Sequence, residues 1–277
     1  MITSLGMKLF VGTDSRIMYK LMKGHFFEIS PNLVVENVLS SFGHYLLEQF
    51  NESSFHFPIY NFDFTNKGKS DFKLNSITTG AFNFFFYKNM AEWQSFDPVF
   101  SVCGFGEPLK SEIYTGKRFT PFGEGSIFET HIDESFNYLS IGIGMAEIAT
   151  MMHYVETKSV HGPLYRYDKI FQGTHSISNI SFNTEVVMHC RPNGMNLDYD
   201  VSRINKDLID FGVVRRLPEI PLSFIGDARN IYRFLLERRN EDPFYFLGSE
   251  SRRLTQEKLD ELGRAFDISD FEECKTQ

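Results

Sequence analysis

Three side chains with chemical reach stand at intervals of three: Thr150, His153 and Glu156. On a helix that spacing makes neighbours along one stripe, so it gathers a hydroxyl, an imidazole and a carboxylate. An imidazole changes charge near neutrality and can accept a proton from a nucleophile. A carboxylate beside it fixes the tautomer and stabilises the imidazolium, and a hydroxyl one turn earlier can donate to a developing negative charge. The competing reading is a core helix in which His153 donates to a backbone carbonyl and Glu156 faces water.

The elements that must position these groups are legible nearby. The apolar run from Leu139 ends in Gly142 and Gly144, which predicts a buried strand closing in a tight turn. Helical spacing follows as far as Glu156, so the junction reads as strand, loop, helix. Earlier in the chain, Lys8 to Val11 predicts a first strand, and Gly12 to Ser15 turns it toward a helix around residues 16–20. Apolar residues from Leu33 to Leu47 follow a helical face over residues 32–50, and Phe55 to Phe64 alternates as a strand does. Residues 177–182 and 184–190 read as paired strands with a turn at Asn183, residues 254–262 as a short helix, and the very end as a mobile polar tail. Alternating strands and helices predict an α/β protein.

Several ordered stretches resemble one family, the aminoglycoside 3-N-acetyltransferases. Pro121-Phe-Gly-Glu-Gly-Ser126 resembles that family's P-F-G-x-G-S loop. Gly142-Ile-Gly144 with Thr150, His153 and Glu156 resembles its turn and T-x-x-H-x-x-E helix, and Pro163 to Lys169 resembles its P-Y-R-x-x-K segment. One departure is that the stretch from Gly144 to Thr150 is a residue longer than the family pattern, with Glu147 in place of its D-S-x-T. The resemblance covers about residues 8–248 and implies a three-layer αβα arrangement with a central mixed sheet, in a single acyltransferase domain over residues 1–277 with a C-terminal tail at 249–277.

The same resemblance implies acyl transfer from a coenzyme A thioester, acetyl-CoA or another short acyl-CoA, to the amine of an amino sugar. His153 is then the general base and Thr150 the donor to the oxyanion or the departing thiolate. Either Glu124 or Glu156 orients the imidazole. Thr13, Ser15 and Ser126 fall where the family approaches coenzyme A, while Thr78, Thr79 and Asp97 fall where it reads the acceptor. For each the bland reading is a turn residue or a helix cap. Thr78, Thr79 and Asp97 differ from the residues of drug-modifying relatives. That tilts the expected acceptor toward a nucleotide-linked amino sugar of surface-glycan biosynthesis, as in the relative that acts in making anthrose. The alternative is antibiotic resistance by aminoglycoside acetylation, and the remote one a non-catalytic sugar-binding protein.

Composition narrows the partners. The chain has 277 residues, 42% of them hydrophobic, and a net charge of -8, enough for a sizeable core and unsuited to nucleic acid. Cys103, Cys190 and Cys274 are widely spaced, and His161, His175 and His189 lack metal-ligand spacing, so neither a disulfide framework nor a metal site is expected. With no run of about 18 apolar residues and no signal peptide, a cytoplasmic protein without a membrane partner is expected, and homo-oligomers are compatible with it.

Overall fold

Along the first strand, Leu9 and Val11 turn to one side and Phe10 to the other, and all three are fully buried. A strand buried on both faces must lie inside a sheet covered by helices on each side. The computed structural model describes residues 6–14, 16, 18, 35–71, 77–109, 118–148, 150–177 and 180–272. Ser15, most of the helix expected at 16–20, the first turn of the one expected from Asn32, and Cys274 lie outside the described residues.

In chain order the elements begin with β1 (Lys8–Thr13), α1 (Val35–Gln49), β2 (Ser54–Pro58), α2 (Asp63–Lys67), β3 (Lys69–Asp71), α3 (Ala81–Asn89), β4 (Trp93–Gln94), β5 (Val102–Phe105) and β6 (Arg118–Phe119). They continue with α4 (Ile127–Asp133), β7 (Asn137–Ile141), α5 (Met145–Ile148), α6 (Met152–Lys158), β8 (Tyr167–Ile177) and β9 (Ile180–Cys190). Then come α7 (Val201–Asp210), β10 (Arg215–Arg216), β11 (Ser223–Asp227), α8 (Ala228–Glu241), α9 (Ser249–Leu262) and a 3-10 turn at Ile268–Asp270.

A seven-stranded mixed sheet runs β10-β11-β7-β1-β2-β5-β4. Its centre, β7-β1-β2, is parallel, and antiparallel strands extend it on both sides. Leu9, Val11, Phe57 and Leu139 share a core with Phe42 of α1 and Phe82 of α3. Phe10 and Tyr138 face the opposite core, with Phe128 of α4, Val155 of α6 and Ile231 of α8. The result is a three-layer α/β arrangement. Gly12, next to the end of β1, lies against α5, where a Cβ would collide with the Ile148 side chain.

Beside this body stands a second, four-stranded sheet, β3-β8-β9-β6, which the sequence reading did not anticipate. Its spine is the long hairpin β8-β9, paired from Tyr167↔Cys190 to Ile177↔Ile180. The turn expected at Asn183 is not there: Asn183 lies within β9, opposite Thr174. The expected strand from Phe55 to Phe64 also stops early: the regular ladder to β5 ends at Pro58, Ile59 and Asn61 still donate to the Ser101 and Val99 carbonyls, and residues 63–67 wind into α2. The C-terminal tail is no loose end as far as it is described: Glu272 bonds Tyr167 Oη and Lys169 Nζ, each at 2.6 Å.

Among the described residues three histidines are fully buried. Burial pushes the His56 imidazole down to about 3, that of His175 down to about 4, and that of His131 well below the ordinary value. Below 6.5, the unperturbed value, an unfolded chain takes up protons that these folded imidazoles refuse, so stability falls as the pH drops toward their folded values. Melting temperature is therefore expected to be flat near neutrality and to fall between about pH 6.5 and pH 4. A melting temperature unchanged across that window would remove the buried histidines from the acid response.

Candidate functional site

The helical stretch foreseen from Gly144 to Glu156 is broken. Residues 145–148 form α5, the chain turns, and α6 begins at Met152. Thr150 sits in the break, so the stripe of three on one helix is corrected to one helix turn plus the loop that precedes it. His153 and Thr150 still line one cavity of about 510 Å³ between α6, the base of the β8-β9 hairpin and the aromatic loop around Phe100. That size suits a small-molecule site. The Thr150 hydroxyl faces that of buried Tyr60 without the alignment of a full hydrogen bond.

Glu156 does not face water; it is fully buried. Tyr165 Oη donates to its Oε1 at 2.6 Å and Tyr199 Oη to the same oxygen at 2.7 Å. Arg166 Nε donates to Oε2 at 2.8 Å, and His153 Nδ1 lies 3.1 Å from Oε2. A carboxylate only accepts, so the His153 proton belongs on Nδ1 and the Nε2 lone pair is left for the cavity. Tyr199 Oη, which accepts from Arg166 Nη2 at 2.7 Å, also stands 3.0 Å from His153 Nδ1. Phe122 packs on the imidazole, with ring centroids 4.9 Å apart.

The electrostatics follow from this burial. Removal from water by itself raises the Glu156 pKa, but Arg166, His153 and Tyr165 outweigh it and hold the carboxyl well below the usual range. For His153, burial and the Arg166 charge push the pKa down, and Glu156 pulls it partly back. An imidazole 25% exposed in its side chain and held below its ordinary pKa is neutral at physiological pH. In that form the ring can accept a proton.

The other residues singled out from sequence divide. Glu124 is exposed at the tip of the Pro121–Ser126 turn, where its carbonyl accepts from Thr120 Oγ1; of the two acids considered for the imidazole, Glu156 is the one in contact. Ser126 is the N-cap of α4, accepting from the Glu129 amide at 3.3 Å, while Glu129 reaches back to the Gly125 amide at 2.6 Å. Its hydroxyl thus already has a structural task.

Thr78 and Thr79 donate to the carbonyls of Tyr60 and Pro58 at 3.2 and 2.5 Å, tying the segment before α3 to the end of β2. Asp97 Oδ1 accepts from the amides of Val99 and Phe100, each at 2.8 Å. Burial raises its pKa to about 6 against the pull of those amides. None of these three lines the cavity with His153. Thr13 ends β1 with its Oγ1 buried and unpartnered among the described residues. Next to it, Asp14, Arg16 and Arg216 border a separate groove along Gly142–Gly144.

Sequence reasoning missed Tyr165, Arg166 and Tyr199. The first two lie inside the Pro163–Lys169 segment, whose Arg was a visible signal. Tyr199 gave none. It also missed the cavity wall formed by Tyr167, Lys169 and Phe171, which alternate along β8 and so share one face.

Comparison with curated sequences gives no match. The family model for aminoglycoside 3-N-acetyltransferase matches residues 50–217. Among solved structures, AAC-IIIb described as binary with CoASH superimposes with a TM-score of 0.64 at 12% identity, covering 89% of this chain and 92% of that one. A histidine-to-alanine variant of AAC(3)-IVa in complex with a gentamicin gives 0.62 at 14%, covering 90% and 88%. YokD protein from Bacillus subtilis gives 0.62 at 10%, covering 86% and 94%. At these identities the likeness is one of fold, and it agrees with the mixed α/β architecture described above. With most of its length matched by the family model, the chain belongs to the aminoglycoside 3-N-acetyltransferase family of acyl-CoA-dependent N-acyltransferases.

Proposed function

We propose that the protein transfers an acetyl or short acyl group from a coenzyme A thioester directly to the amine of an amino sugar, with His153 as general base. The observation that carries the reading is the buried Glu156 carboxylate 3.1 Å from His153 Nδ1, which leaves Nε2 free at the cavity. The amine nitrogen attacks the thioester carbonyl and gives its proton to His153 Nε2. The C–N bond forms, the carbonyl becomes an oxyanion, and the C–S bond then breaks as the carbonyl re-forms. His153 returns the proton to the departing thiolate, so no acyl-enzyme is needed.

Thr150, in the cavity wall, is our candidate donor to the oxyanion or the thiolate, a contribution typically worth about 2.7–4 kcal/mol. Glu156 orients the base. We assign coenzyme A to the groove beside Thr13 and Gly142–Gly144; that a coenzyme A thioester is the donor is supported by the neighbour described with CoASH. Cys103 takes no part: it is buried and burial pushes its thiol pKa up, so it lacks the thiolate a nucleophile needs.

For the acceptor we favour a nucleotide-linked amino sugar. The second reading is an aminoglycoside, favoured by the family's description and by the neighbour in complex with a gentamicin. Thiol release from acetyl-CoA with each acceptor class separates them: turnover confined to gentamicin would make this a drug-modifying enzyme.

His153→Ala is expected to lower turnover roughly a hundredfold or more while leaving acetyl-CoA binding by calorimetry nearly unchanged. Near-wild-type turnover would remove His153 from the mechanism. In the pH profile of kcat, the limb for protonation of the base is expected below the ordinary imidazole value of 6.5, since His153 is shifted down. Glu156→Gln leaves Arg166 buried against a neutral amide. Denaturant unfolding should then show a loss of about 3–5 kcal/mol, together with slower turnover. An unchanged unfolding midpoint would contradict the importance assigned to this carboxylate.

A further inference from the structure

An aminoglycoside carries several ammonium groups, and a site built for one needs carboxylates free to meet them. The cavity beside His153 is short of these. Among the described residues Glu272 is the carboxylate in its wall, and it is held by Tyr167 and Lys169. Glu156 lies beneath the floor, spent on four partners. Asp97 is outside the lining, its Oδ1 held by two amides. Asp168 points outward, 61% exposed, against His189.

The cations tell the opposite story. Arg166 is paired with Glu156 and Lys169 with Glu272, but Arg191, exposed in the cavity wall just after β9, has no carboxylate partner among the described residues. It is close enough to the site for its charge to join burial and Arg166 in depressing the His153 pKa. Once Glu272 is matched with Lys169 and the Glu156 beneath the floor with Arg166, the Arg191 guanidinium is left in excess among the described residues. The same cavity is lined by neutral hydrogen-bonding groups, Asn66 and Asn193, and by aromatic side chains, Phe62 and Phe171.

We infer that Arg191 is the anion-recognition residue of the acceptor subsite, and that the amino sugar acylated here carries a phosphate or diphosphate. Guanidinium is suited to that task, since its planar fork donates two parallel hydrogen bonds to one phosphate. The Lys169–Glu272 pair at the rim tunes the same charge: the Glu272 carboxylate opposes an incoming anion and occupies two donors the anion would use. The inference rests on the acyltransferase reading above, with the amine presented to His153 and the phosphate to Arg191.

The test compares wild type, Arg191→Ala and Glu272→Gln in steady-state thiol release from acetyl-CoA. Acceptors are glucosamine, glucosamine 1-phosphate, a uridine diphosphate-linked 4-amino sugar and gentamicin. Arg191→Ala is expected to raise KM for the phosphorylated acceptors about tenfold or more, with little change for an unphosphorylated one. Glu272→Gln should lower KM for the same acceptors, an opposite sign that general loss of structure would not give.

A phosphate contact could also come from coenzyme A, so each variant is assayed with acetyl-CoA and acetyl-dephospho-CoA. If the Arg191→Ala defect disappears with the dephospho donor, the residue reads the donor and the inference is overturned. Turnover with gentamicin alone, or an unchanged KM for phosphorylated acceptors in Arg191→Ala, also overturns it while leaving the acyltransferase reading intact. No thiol release from any pair by wild type overturns both.

Discussion

One buried negative charge organises the site. Glu156 is withdrawn from water at the centre of α6, which costs several kcal/mol unless the ion is paired and its lone pairs are filled. Here both oxygens are filled, by Tyr165 and Tyr199 on one and by Arg166 and His153 on the other. These partners come from three separate stretches: α6 itself, the segment leading into β8, and the loop before α7. The helix, the hairpin and the loop are therefore fixed relative to one another by the need to keep that charge satisfied. Of the four partners, His153 and Arg166 also border the cavity, and the imidazole is the one that can accept a proton there.

From this follows the state of the base. A histidine against a free carboxylate would have its pKa raised, and would be charged when it should accept. Arg166, bound to the same Oε2, cancels that influence, and burial completes the downward shift. The network thus holds the ring in one orientation without holding its proton. Arg166 in turn is committed to Glu156 and Tyr199, which leaves the electrostatic character of the cavity to groups farther out on the hairpin, Lys169 and Arg191 among them. In the proposed reading, orientation of the base and recognition of charge fall to different cations.

Much of the fold was legible because the signals are local. The apolar run ending in Gly142 and Gly144 marks β7 and its turn, Lys8 to Val11 marks β1, and the helical periodicity of residues 32–50 marks α1 as far as it is described. Errors arose where tertiary pairing overrides local pattern. Asn183 looks like a turn residue, yet lies mid-strand because the register of β8-β9 is set by two eleven-residue strands meeting in full. The alternation of Phe55 to Phe64 suggests one long strand, yet residues 63–67 wind into a helix. The break between α5 and α6 carries no proline and no strong local marker.

By itself the sequence determined the residue types and spacing of the acid-base pair, since His153 and Glu156 three apart on a helix turn must be neighbours whatever surrounds them. It also determined the α/β class, through short-range periodicity. Only the tertiary structure decided that Glu156 is buried rather than solvated, and that Glu124 stands apart from the imidazole. The same is true of Tyr165, Arg166 and Tyr199 completing the site, and of the excess charge in the cavity coming from the base of a hairpin. The physical reason is that hydrogen-bond partnership and burial depend on segments distant along the chain. Tyr199, 43 positions from Glu156, has no local pattern that could announce it.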